Sequence, residues 1–469
     1  MTAAEPAASV TDSRTSRWGA VVAAGLAVFV STVDMNVVGV ALPTLGQRFG
    51  AGPGAVQWVV LAYVLPLVAL VLPVGRWADG AGTRPAFLLA VLGFGAASVL
   101  VAASTGLPVM IVARGVQGVF GALVAALVMS VIGRSVRPAD AGRAMGLVAA
   151  VGPLGGAVGP ALGGVLIAEF GWRSVFLINV PVCLAAAWLG LRSIPAGDGG
   201  LPAPRRSWLA DALLLGAAGS ALILGLQELG RPGARPPWAF ALPVVAVGAV
   251  ALWVRRPAAR PVRAVLADSP VRGWLLALLA GGVVSGALGF LTPYLLAGTL
   301  RVPTAQVGLV MLAMPAGMVL CAPLGGVLGD RWGQRRTALA GTCLMLVGAA
   351  LLVPAATDWG PTGVAWRLLL VGAGSGLLAA PAQAAIMTGV PPARTATAGA
   401  LSALLLNVGF ALGPALGSMT WGLRGNSATG MATAFATAAV AAAVSTACVT
   451  LVRGRRARNG APHATRHSP

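Results

Sequence analysis

Apolar runs of about 18 to 25 residues, the length an α-helix needs to cross a hydrocarbon core, recur along this chain and leave it few folds to choose from. Fourteen are expected, with cores at 19–43, 55–75, 86–104, 107–132, 144–168, 174–191, 208–228, 238–254, 273–298, 305–328, 337–355, 362–388, 397–420 and 429–452. Of the 469 residues 57% are hydrophobic and only 9% charged, against about 25% charged in a soluble domain. So little polar surface cannot cover a water-soluble globule. The fold class expected is an all-α membrane protein, because helices satisfy their own backbone hydrogen bonds inside lipid.

The chain has no Lys, so all 32 basic residues are Arg, and the formal net charge is +20. A basic balance can mark nucleic-acid binding, but these Arg residues fall in short loops between apolar runs, where they act as topology determinants. Placing the N-terminus in the cytoplasm puts 24 Arg on that side and leaves six outside: Arg48, Arg173, Arg231, Arg235, Arg301 and Arg424. An even number of spans then puts both termini in the cytoplasm. Glu5 and Asp12 precede a first run that is a full span long, so no cleavable signal is expected. The four Cys lie inside apolar runs without metal-ligand spacing, and His463 and His467 stand in the tail, so neither disulfide, metal nor cofactor is expected.

The sequence repeats itself. Gly75-Arg-Trp-Ala-Asp79-Gly-Ala-Gly82-Thr-Arg84 follows the second run, and Gly326-Val-Leu-Gly-Asp330-Arg331-Trp-Gly333-Gln-Arg335-Arg336 follows the tenth, 251 residues on. Arg114 is matched by Arg367 at an offset of 253, and Gly159-Pro160 by Gly413-Pro414 at 254. These matches pair runs 1–6 with runs 9–14 and leave runs 7 and 8 as an insertion. The expected organisation is a cytoplasmic tail (1–17), a six-helix bundle (18–192), linkers with two inserted helices (193–272), a second six-helix bundle (273–452) and a cytoplasmic tail (453–469). Two parallel repeats with a substrate site between them are the plan of an alternating-access carrier.

Asp34 lies in the middle of the first apolar run, with Ser31 and Asn36 near it. A carboxylate at membrane depth is costly and by default points to ion or proton movement. Burial disfavours the charged form of a carboxyl group, and water or a cationic substrate favours it, so proton and cation could compete at this position. Arg114 has no acidic partner in its own span; another helix or water must neutralise it, unless it snorkels to an interface. Gly155, Gly159 and Gly163 recur every four residues and line one helix face, where another backbone can come close, and Pro160 favours a kink beside them. Asp79 with Arg84, and Asp330 with Arg331, Arg335 and Arg336, could clasp the cytoplasmic ends of facing helices. Tyr63, Gln117, Phe290, Tyr294, Gln383 and Asn407 are the candidates for lining a substrate cavity. Their sparseness, with no second acid in the C-terminal cavity-forming spans, favours a bulky, amphipathic or apolar compound over a sugar or a dication. Glu169, Asp211 and Glu228, near span ends, are expected to face water or headgroups.

The fifth run carries a glycine-proline pattern, G(x)8G(x)3GP(x)2GG, complete as Gly146, Gly155, Gly159, Pro160, Gly163 and Gly164. With Asp34-Met-Asn-Val-Val-Gly-Val-Ala-Leu-Pro43, Gln57-Trp58, Arg114-Gly-Val-Gln117-Gly118 and Trp172 to Pro181, it makes the chain resemble the major facilitator superfamily, and within it the fourteen-span drug:proton antiporters, over nearly the whole length. Asn36 and Gly39 depart from the Thr and Asn usual there, and Gly80 and Thr83 replace basic residues of the first cytoplasmic loop. The resemblance implies export of drugs or antibiotics driven by the proton gradient, with Arg114 acting on proton coupling and the fifth helix confining the movement of the two halves. It implies a small organic substrate, protons and the bilayer as partners, no nucleic acid, and a functional monomer. The alternatives are a metabolite carrier or importer of the same fold and a membrane sensor on a carrier scaffold. A membrane enzyme is disfavoured, since no D-x-x-D, H-E-x-x-H or Cys/His set occurs.

Overall fold

The computed structural model describes residues 16–79, 81–196, 200–203, 206–230, 236–267, 269–355, 359–391, 394–425 and 427–452. The two expected tails lie almost wholly outside them. Among the described residues the regular structure is helical: α1 (Trp18–Phe49), α2 (Pro53–Val56), α3 (Trp58–Asp79), α4 (Thr83–Ala102), α5 (Leu107–Ser135), α6 (Pro138–Phe170), α7 (Ser174–Leu177), α8 (Asn179–Ser193) and α9 (Arg206–Gly230) come first. They are followed by α10 (Pro237–Arg255), α11 (Arg260–Leu266), α12 (Ser269–Tyr294), α13 (Thr304–Met311), α14 (Ala313–Trp332), α15 (Gln334–Ala350), α16 (Pro361–Gly389), α17 (Thr395–Gly422) and α18 (Ala428–Leu451). Twelve helical stretches among the described residues are long and apolar enough to cross a membrane. At the fifth and eleventh expected runs, α6 offers a shorter apolar stretch, Leu154–Phe170, and α15 has 17 residues.

Punctuation follows backbone chemistry. Proline opens α5, α6, α10 and α16 within their first two positions, where its missing N–H has no helical partner to lose. Gly50 ends α1 at a φ of 60°, the left-handed conformation that glycine adopts without strain. The linker expected between the inserted helices and the second bundle is partly helical: α11 turns Val262 and Val265 inward and leaves Arg260 and Arg263 exposed.

The sequence repeat reappears as a packing repeat. α1 packs on α6 as α12 packs on α17; α3 packs on α5 as α14 packs on α16; α4 meets α5 and α8 as α15 meets α16 and α18. Lipid offers no hydrophobic drive between helices, so close approach through small residues carries the contact. Gly118 of α5 sits against the Tyr63 backbone of α3, and Gly372 of α16 against the Met314 backbone of α14. The outer faces keep large apolar side chains uncovered, such as Val112 at 68%, Leu213 at 72% and Val244 at 71% exposure, as a surface solvated by acyl chains requires.

α9 packs on both α3 and α17, one helix from each repeat, whereas α10 packs chiefly on α9. The Trp58 indole donates to Gln227 Oε1 at 2.5 Å, and Gly230 lies against the Met419 backbone. Two expectations are corrected here. Asp211 and Glu228 do not face water; they are only 1% and 7% exposed. Arg256 Nε donates to Asp211 Oδ1 at 2.6 Å, so an arginine at the end of α10 replaces solvent around that carboxylate. Glu169 is exposed as expected.

Candidate functional site: a sealed ion pair beside a cavity between the repeats

Asp34 and Arg114 meet inside the N-terminal repeat. α1 brings the carboxylate and α5 the guanidinium; Arg114 Nη1 donates to Asp34 Oδ2 at 2.5 Å, and both side chains are fully buried. The other carboxylate oxygen, Oδ1, accepts from Gln117 Nε2 at 3.0 Å and from Asn179 Nδ2 at 2.7 Å. Gln117 stands one turn after Arg114 on the same face of α5 and also accepts from Arg114 Nη1 at 2.7 Å. Asn179 opens α8. Ser98 of α4 accepts from both amides, at 2.8 and 3.2 Å, and donates to its own helix at Phe94 O.

The arginine has further partners, although its Nη2 has no hydrogen-bond partner among the described residues. Its Nε donates to Val59 O at 2.9 Å. The guanidinium carbon lies 4.5 Å from the centre of the Tyr63 ring and 5.8 Å from that of Phe176, within the range of cation–π attraction. Snorkelling, the other reading open for Arg114, is thus excluded by its full burial. Arg367, its match in the second repeat, makes no such pair among the described residues: it lies against Trp359 and Trp366 and donates to Gly363 O one turn back on its own helix.

Tyr63 and Gln117 belong to this charge cluster and not to a cavity wall, because each is engaged by Arg114 or Asp34. A narrow cavity of ≈ 40 Å³ does lie between the repeats. Its lining includes Met35 and Asn36 of α1, Pro160 of α6, Ser285 and Phe290 of α12, Met311 of α13, Met314 of α14 and Phe410 of α17. Of the other lining candidates, Tyr294 meets Phe290 at a tilt and Trp421 edge to face, with ring centres 5.2 and 5.4 Å apart. Asn407 donates to Ala403 O of its own helix, and Gln383 is exposed.

The glycines of α6 face two ways. A Cβ on Gly155 would stand 3.1 Å from Phe29 O, and one on Gly159 3.2 Å from Val33 O, so this face is fitted to α1. Gly163 likewise abuts Val37, while Gly164 packs against Gly308 and Thr304 O of α13, in the other repeat. Pro160 joins the two faces: it lines the cavity, and its carbonyl abuts Gly308. The side-chain surroundings of Asp79 and Gly146 lie outside the described residues. Arg84 is half-buried; Asp330, Arg331 and Arg336 are exposed, and among the described residues no ion pair joins Asp330 to them. Arg335 instead donates to Val449 O and Thr450 O, at 3.3 and 2.5 Å, at the end of α18, where helix carbonyls lack partners.

Sequence reasoning passed over Ser98 and gave Asn179 no role. Each is a lone polar residue in an apolar span, a pattern that marks interhelical hydrogen bonding in lipid.

Apolar helices packed in a repeated arrangement, a charge pair inside one repeat and a cavity between the two define a multi-pass membrane transporter. The profile of the Major Facilitator Superfamily matches residues 24–278 and 273–468, and the chain belongs to that family. It is 29% identical over 409 residues to the riboflavin transporter RibZ of Clostridioides difficile (strain 630), covering 85% of this chain and 87% of that one. It is 28% identical over 408 residues to the multidrug resistance protein Stp of Mycobacterium tuberculosis (strain ATCC 25618 / H37Rv), covering 85% and 75%. Its fold matches the crystal structure of a bacterial homologue of the human lysosomal transporter Spinster in an inward-facing, occupied conformation. That match has a TM-score of 0.69 over 94% of this chain and 97% of that one, at 16% identity.

Proposed function

We propose that this chain is a proton-coupled antiporter that exports bulky, largely apolar organic compounds, drugs or antibiotics among them, across the cytoplasmic membrane. In this reading it acts as a monomer with fourteen spans, both termini in the cytoplasm, and the two repeats rocking about the cavity between them. The observation that carries it is the sealed Asp34–Arg114 pair. Oδ1 accepts two amide hydrogen bonds and Oδ2 the Arg114 guanidinium, so a proton that binds Asp34 cancels the charge on which all three charge-assisted bonds depend. Protonation would then loosen α1 from α5 and α8. Because α1 also forms a wall of the cavity and packs on the α6 glycines, the same event changes the helix that substrate touches and the helix pair that fixes the repeats. The contact of Gly164 with Gly308 and Thr304 is one that rocking of the repeats would break and remake.

A metabolite carrier is the second reading, favoured by the match to the riboflavin transporter over 85% of this chain. Everted vesicles from an efflux-deficient host separate the two. Energised vesicles should accumulate a fluorescent apolar drug and lose it when an uncoupler is added. Accumulation that ignores the uncoupler, or transport of riboflavin with no drug transported, would overturn the proposal.

A further inference from the structure

Asp34 is two residues from Asn36, which puts their side chains about 200° apart around the helix. Asp34 is fully buried among α4, α5 and α8, whereas Asn36 lines the cavity between the repeats. None of the described residues on the cavity wall is charged. Two of them are polar, and they come from opposite repeats: the Asn36 amide and the Ser285 hydroxyl. Each spends one hydrogen bond on its own helix, Asn36 Nδ2 to Thr32 O at 2.8 Å and Ser285 Oγ to Gly281 O at 3.2 Å. That leaves Asn36 its Oδ1 and a second N–H, and Ser285 its lone pairs, for a ligand. Much of the remaining wall is Met35, Met311, Met314, Phe290 and Phe410. The cavity is small against a fused-ring molecule, but methionine side chains are flexible and take up contacts with ring edges, so a wall of this kind can open around an aromatic body.

We infer that the cavity selects an uncharged, flat, fused-ring organic molecule, gripped between methionine and phenylalanine side chains with one polar edge on Asn36 and Ser285, and that it rejects permanent cations. The inference rests on the proposed reading that this cavity is the substrate site. A cation entering it would lose its water to a wall that offers no carboxylate, a cost that apolar contact does not return. Asp34 gives no help, because Arg114 neutralises it and both are sealed off. Proton and substrate therefore do not compete for one carboxylate, as the sequence had suggested; they communicate through α1.

The test is equilibrium binding to the purified full-length protein in detergent at mildly alkaline pH without any gradient. It uses acridine, neutral there, and N-methylacridinium, a permanent cation of nearly the same outline. Acridine should bind at least about tenfold tighter than the cation. Asn36→Ala should weaken acridine by about three- to tenfold, the loss of the one hydrogen bond from the amide N–H to the ring nitrogen. Asn36→Asp should bring in the cation, a gain that a misfolded variant cannot show. Equal or tighter binding of the cation to the wild type, no binding of either compound, or acridine binding indifferent to Asn36→Ala would overturn the inference. Because no gradient is applied, binding as expected with no proton-driven transport would overturn the antiporter reading alone.

Discussion

Asp34 and Asn36, two residues apart on α1, face different compartments: Asp34 is sealed among α4, α5 and α8 with Arg114 at 2.5 Å, and Asn36 borders the cavity between the repeats. One helix thus carries the charge chemistry on one side and the ligand wall on the other. A small rotation or shift of α1 is felt at both.

Asp34→Asn should abolish efflux driven by a pH gradient and leave gradient-free substrate binding within about threefold of wild type, because the amide nearly copies the shape but cannot carry the proton. Uphill, uncoupler-sensitive efflux by this variant would remove Asp34 from the coupling step.

Arg114→Ala should be less stable than the double variant Asp34→Asn/Arg114→Gln. The single change strands a buried carboxylate, a loss of about 3–5 kcal/mol for breaking a buried pair from one side, whereas the double change leaves two neutral groups able to hydrogen-bond. Thermal unfolding of the purified proteins ranks them, and neither should couple. A single variant as stable as the double would show that the pair carries little of the packing between α1 and α5.

Gly159→Leu and Gly164→Leu should both block transport in well-expressed protein, for different reasons. A side chain at 159 pushes α6 off Val33 and Asn36 of α1; at 164 it pries α6 from Thr304 and Ala305 of the other repeat. Normal efflux by either leucine variant contradicts the role of its face.

Asp211→Asn with Glu228→Gln should keep the pH-gradient response, since both acids lie on α9 away from the cavity lining. Asp211→Asn alone should lower stability by about 1–2 kcal/mol, as a charge-assisted bond to a partly exposed arginine is lost. A double variant that binds substrate but ignores the gradient would put part of the proton path in α9.

Much of this was legible in the sequence, and the exceptions share a cause. Run lengths anticipated the twelve helical stretches long and apolar enough to cross a membrane among the described residues, and the offsets of Asp79 to Asp330 and Gly159 to Gly413 parallel the repeated packing. Asp34 and Arg114 each stood out as charges inside apolar runs, but their pairing spans 80 residues and two helices, which spacing along one chain does not encode. Which way Asp34, Tyr63 and Gln117 face was equally hidden: α1, α3 and α5 are apolar nearly all round, so no polar stripe announces the buried side. The burial of Asp211 was missed because a span-end position suggests water, and its partner Arg256 comes from the end of the next helix.

The most direct measurement is proton movement itself, in proteoliposomes with a lightly buffered interior and an enclosed pH dye. Adding an exported compound to one side should drive protons the opposite way through the wild type and not through Asp34→Asn. Substrate movement against its gradient without any proton movement, or an equal proton flux through Asp34→Asn, would contradict proton coupling at the Asp34–Arg114 pair.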